Sequence, residues 1–107
     1  MADMLNVKEL QEIRNQLAGL TSAELRARLH ENSWIKWRLG RIRAQQRQMG
    51  TGAFAVSDES LIDERKRWLS RNFVRDDITR AELRELAELT RIRMLLMMPE
   101  SVRARLK

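Results

Sequence analysis

No cysteine occurs in the chain, so neither a disulfide framework nor a thiolate metal site can be built, and a reducing compartment suits it. One proline and four glycines among 107 residues leave few backbone breakers. The absence of tyrosine, with aromatic residues at 5%, removes much of what β-sheets are made from. The single histidine, His30, has no second ligand at a metal-binding spacing. The longest apolar run, Met94 to Met98, falls far short of the roughly 18 residues that a membrane span needs, and no secretory leader pattern opens the sequence. No nucleophile, base and orienting group can be nominated together. Gly50-Thr51-Gly52 lacks the lysine in register and the preceding strand of a phosphate loop. The expectations are therefore no enzyme, no cofactor, no metal, no membrane, and a cytoplasmic or otherwise intracellular location.

What is present is helix-forming: 43% apolar and 34% charged residues in a length that suits one domain, 1–107. Three capping boxes punctuate the chain, Asn6 with Glu9, Thr21 with Glu24 and Thr79 with Glu82. Each pairs a short acceptor side chain with a glutamate three residues on, which satisfies two orphan backbone donors at a helix start. Leu10, Ile13, Leu17 and Leu20, extended backward by Val7, give a first helix over 7–18, with Gly19 as its left-handed cap. Leu25 and Leu29 give a short second helix. Continued unbroken, its face would sit about 100° away from that of Ile35, Leu39, Ile42 and Met49, so a break with Ser33 as the new N-cap is expected. Phe54 and Val56 are expected to tuck against the core from the loop 50–57. Leu61, Ile62, Trp68, Leu69 and Phe73 share an arc of about 140° on a fourth helix, 58–74. The fold class is all-α: a compact bundle of about five helices plus a short C-terminal helix over 99–106, with Val102 and Leu106 inward.

The fifth helix, 79–98, is apolar on two sides. Leu83, Leu86, Ala87, Thr90, Met94 and Met97 make one face, and Leu89, Ile92 and Leu96 a second nearly opposite. The second face is expected to form an oligomer or partner contact, making the protein a homo-oligomer, a dimer or larger.

The stretch from Trp34 to Met49 has the most distinct chemistry. Residues 33–56 carry five basic and no acidic side chains, in a chain whose net charge is +6. Lys36, Arg43 and Arg47 form a basic stripe, while Trp34, Trp37, Arg38, Arg41, Gln45 and Gln48 fill the side opposite. Arginine far outnumbers lysine, which suits bidentate phosphate contacts. Thr21 to Ile42 has the parts of a helix-turn-helix, but its turn offers no glycine and places Glu31 where an apolar residue belongs. The leading expectation is a small nucleic-acid-binding accessory or regulatory protein. It would contact the phosphates of DNA or RNA through Lys36, Trp37, Arg38, Arg41, Arg43 and Arg47 with limited sequence selectivity. The alternative is a helical adaptor or inhibitor that binds an acidic protein partner through the same surface.

Overall fold

The computed structural model describes residues 4–49, 56–103 and 105. Six helices follow one another: α1 Val7–Leu17, α2 Ser22–Leu29, α3 Ser33–Met49, α4 Asp58–Val74, α5 Arg80–Met97 and α6 Glu100–Arg103. No strand occurs among the described residues, and no helix among them is long and apolar enough to cross a membrane. Phe54 and Leu106 lie outside the described residues, as does the side chain of Met49.

The local grammar of the sequence is realised at the helix starts. All three capping boxes form, with Glu9 N donating to Asn6 Oδ1 at 2.8 Å and Glu24 N and Glu82 N donating to their threonines at 3.1 Å. Gly19 takes φ 79° after α1, a conformation that needs no Cβ. The break before α3 is there, but Asn32 rather than Ser33 caps it. Its Oδ1 accepts from Ile35 N at 3.0 Å while its Nδ2 donates to Glu85 at 3.0 Å. A serine has no second arm for that reach. Asp76, at φ 60°, closes α4 in the role usually given to glycine. The amides of Asp76 and Asp77 turn back to Phe73 and Asn72 at 3.1 and 2.9 Å, satisfying carbonyls of the last turn.

α5 is the element on which the others assemble, packing against α4, α1 and α2. Leu83, Leu89, Ile92 and Leu95 are its buried residues. They meet Leu17 of α1, Leu25 and Leu29 of α2, Ile35 of α3, and Leu61, Ile62 and Leu69 of α4 in one cluster. Leu89 and Ile92 are only 2% and 1% exposed, and Leu96 is half-buried against the cluster. Most of the expected oligomer face is therefore not free: Leu89 and Ile92 are covered within the chain and Leu96 partly so, because α2 and α4 pack on the side that sequence periodicity left without a partner. On the other face Leu86, Ala87 and Met94 are half-buried, Leu10, Ile13, Ala87 and Met94 line an apolar depression between α1 and α5, and Thr90 and Met97 face solvent.

The molecule measures 48 × 39 × 17 Å. Its thin dimension is less than two helix diameters of roughly 10 Å each, so every helix, α5 included, keeps part of its surface in solvent. This thinness accounts for further departures from expectation. Trp68 and Phe73 of α4 are exposed, because a 140° apolar arc is wider than one neighbouring helix can cover, and Val7, Val56 and Val102, expected to face inward, are exposed as well.

Leu89→Ala should lower the unfolding free energy by about 2–5 kcal/mol through the cavity it leaves, measured as a shifted urea midpoint. Leu89→Glu combined with Leu96→Glu should abolish the helical circular dichroism. A soluble, folded double variant would place those residues outside the core.

Candidate nucleic-acid interface

α3 enters the core at one end only. Ile35 is fully buried, Trp34, Leu39 and Ile42 are half-buried against the cluster, and beyond Ile42 only Gln46 among the described side chains is half-buried. The last two turns therefore extend past the packed region, with Arg43, Ala44, Gln45, Arg47 and Gln48 in solvent. On the helix, Lys36, Arg43 and Arg47 fall within about 40° of one another, while Trp37 and Arg41 lie about 120° round from them. Gly40 and Ala44, both exposed, separate the two groups. The sequence-derived set is thus displayed, as its periodicity implies, on two flanks of a small-residue ridge.

Several arginines on the other helices are answered by carboxylates. Arg26 donates to Asp58 at 2.9 Å and Glu59 at 2.8 Å, Arg28 to Glu88 at 3.0 Å, Arg93 to Asp63 at 3.1 Å, and Arg80 and Arg84 both reach Glu9. One expected phosphate contact belongs to this group. Arg38 donates to Glu64 of α4 at 3.2 Å, so its charge is already met within the chain, by an acid 26 residues away that no inspection of α3 alone could supply. Lys36, Arg41, Arg43 and Arg47 form no ion pair among the described residues.

Sequence reasoning missed a second set. Between residues 57 and 80 acidic and basic side chains cancel in number, yet Asp58, Glu59, Asp63 and Glu64 all turn toward arginines of other helices. Lys66, Arg67, Arg71 and Arg75 are left without a carboxylate among the described residues. The signal that could have found them is position: the acids cluster in the first half of α4 and the cations in the second.

Between α3 and α4 runs a ladder of indoles and guanidiniums. Arg41 Cζ lies 5.7 Å from the Trp37 ring centre. Trp37 and Trp34 follow, with ring centroids 6.5 Å apart and planes inclined at 50°. Arg65 Cζ then lies 5.6 Å from Trp34 and 4.6 Å from Trp68. Such contacts are favourable because a cation faces the negative side of the ring quadrupole. Arg65 is fixed by a two-pronged pair with Glu85, at 2.8 and 3.0 Å, and Glu85 also accepts from Asn32. Trp34 is half-buried as the inner rung, whereas Trp37 and Trp68 are 57% and 42% exposed.

His30 ends α2 and meets Asp58 Oδ1 at 2.8 Å, and among the described residues no cluster of His, Asp or Glu could hold a metal. Glu31 is exposed in the α2–α3 turn, so the buried turn residue of a helix-turn-helix is missing. No protein-family model, no curated protein and no solved structure matches the chain.

Burial pushes the Glu85 carboxyl upward, but the hydrogen bonds from Arg65 and Asn32 and the charge of Arg65 outweigh it and hold it below its ordinary value. Asp58 behaves alike, burial being outweighed by its bonds to His30 and Arg26. A carboxylate depressed in the folded state binds its proton more readily when unfolded. Its stabilisation is thus present above the ordinary carboxylate range and is lost as pH falls through the folded value. Glu85→Gln should cost about 2 kcal/mol at neutral pH, since it leaves Arg65 without its counter-charge. The same substitution should also flatten the loss of stability below about pH 4.5. A variant whose urea midpoint falls with acid as steeply as that of the unmodified protein would remove Glu85 from this role.

Proposed function

We propose that the protein is a small helical nucleic-acid-binding accessory or regulatory protein that holds phosphates along α3 with limited sequence selectivity. The observation that carries this reading is the contrast in charge pairing. The chain brings acids from distant segments to Arg26, Arg28, Arg38, Arg65, Arg80, Arg84 and Arg93, yet leaves Lys36, Arg41, Arg43 and Arg47 exposed and unanswered on the helix that extends past the core. Unneutralised cations at helical spacing match a polyanion whose condensed counterions are released on binding. Contacts of this kind position the protein without reading bases, and the missing helix-turn-helix geometry agrees with low selectivity.

Exchanging Arg43 and Arg47 together for glutamine should weaken binding about equally across sequences. It should also lower the slope of log affinity against log salt by roughly 1.8 for duplex DNA or roughly 1.4 for a single strand. Stability should stay within about 0.5 kcal/mol, because neither side chain packs on the core. Absence of measurable binding to DNA or RNA at about 0.1 M salt, together with capture of an acidic protein on the same face, would replace this reading with that of an adaptor or inhibitor.

A further inference from the structure

Each of the two exposed tryptophans has a guanidinium over its ring. On α3, Trp37 is followed one turn later by Arg41, whose guanidinium covers part of its ring. On α4, Trp68 has Arg65 over its ring on one side, and Arg71 and Arg75 follow at three and seven residues, within about 60° of it on the helix. Arg41, Arg71 and Arg75 form no ion pair among the described residues. The distance between the two indoles is bounded by the rungs that join them, steps of 6.5, 5.6 and 4.6 Å through Trp34 and Arg65. A strand of a few nucleotides spans that length.

Each exposed indole has a cation on one side, and more than two-fifths of its surface faces water. Leaving such rings uncovered forgoes much of the stabilisation their burial would give. The rings are nevertheless held in place: Arg65 is clamped by Glu85 and so fixes Trp68 and the inner Trp34, and Trp34 in turn abuts Trp37. A preorganised pair of aromatic faces, each with a guanidinium on one side and further cations along its helix, is the arrangement that binds unstacked bases and their phosphates. A duplex presents no free base face to a flat indole, because its bases are stacked on one another.

We propose that the ligand is single-stranded nucleic acid, with bases stacked on Trp37 and Trp68 and the flanking phosphates on Arg41 at one end and on Arg71 and Arg75 at the other. This rests on the phosphate-binding reading above and narrows it to one class of strand. Charge complementarity favours a polyanion over a second copy of this chain, since the surface carries unpaired cations on both helices, and Glu64 beside the ladder is already taken by Arg38.

The test uses the full chain with a thymidine oligonucleotide of about twelve nucleotides and a duplex of equal length, at about 0.1 M salt. The single strand should bind more tightly and quench the tryptophan emission, the duplex leaving that emission nearly unchanged. Trp37→Ala with Trp68→Ala should weaken single-strand binding by roughly tenfold or more and duplex binding much less. The quenching needs no variant, so it decides the matter even where the double substitution disturbs the fold. Equal binding of both forms without quenching would overturn the stacking proposal while leaving the phosphate grip intact. No binding to either form would overturn both.

Discussion

The ion pair between Arg65 and Glu85 is the interaction on which the rest of the arrangement turns. It joins α4 to α5 through two short hydrogen bonds at side chains only 13% and 19% exposed. Removing two charges from water to that degree is unfavourable unless the geometry is two-pronged and the remaining lone pairs are met. Both conditions hold, because Asn32 supplies a further donor to Glu85. Asn32 is also the residue that ends the α2 turn and caps α3, so one carboxylate fixes the start of α3 relative to α5. The same guanidinium lies over Trp34 and Trp68. Three helices and two indoles are thereby located by a single pair, and the direction in which α3 leaves the core follows from it.

That direction determines what the surface looks like. A slab 17 Å thick cannot bury both sides of its helices, so cohesion depends on ion pairs at the seams as well as on the leucine and isoleucine cluster. Partly exposed pairs of this kind contribute modestly one by one, at most about 1 kcal/mol each. Their larger effect is on where charge is left over. With Asp58, Glu59, Asp63 and Glu64 spent on other helices, the acids of α4 cannot screen its own cations, and α3 has no acids to begin with. The unpaired cations of α3 and of the second half of α4 are the residue of that division.

Much of the fold was legible because the helix boundaries are written in local chemistry. Asn6, Thr21 and Thr79 announce their helices by interactions that span three residues, and Gly19 by a backbone angle that other residues resist. What was not legible depends on partners far apart in sequence. The two apolar sides of α5 were visible, but that α2 and α4 cover Leu89 and Ile92 within one chain is a fact of packing. Trp68 and Phe73 lie on the correct arc and still remain exposed, since periodicity reports direction and not how far a neighbour reaches. Of the expected contact residues, Lys36, Trp37, Arg41, Arg43 and Arg47 are displayed, and Arg38 is not, for want of any sequence signal linking it to Glu64. Counting charge by segment concealed Lys66, Arg67, Arg71 and Arg75, because cancellation in number is not pairing in space.

The two halves of the proposed surface differ in how closely they sit against the core, and this difference bears on how a strand would be held. Trp37 and Trp68 are braced by the ladder, whose inner rungs are packed or hydrogen-bonded. Toward its end α3 turns most of its described side chains to solvent. Arg43 and Arg47 stand four residues apart on one side of it, a like-charge spacing that weakens a helix by about 0.2–0.5 kcal/mol, and only Gln46 there is even half-buried. Phosphates placed beside Arg43 and Arg47 would convert their repulsion into attraction and favour the helical form. On this reading the braced indoles provide a fixed docking point, and Arg43 and Arg47 extend the grip along the backbone, their mutual repulsion offset by the phosphates beside them.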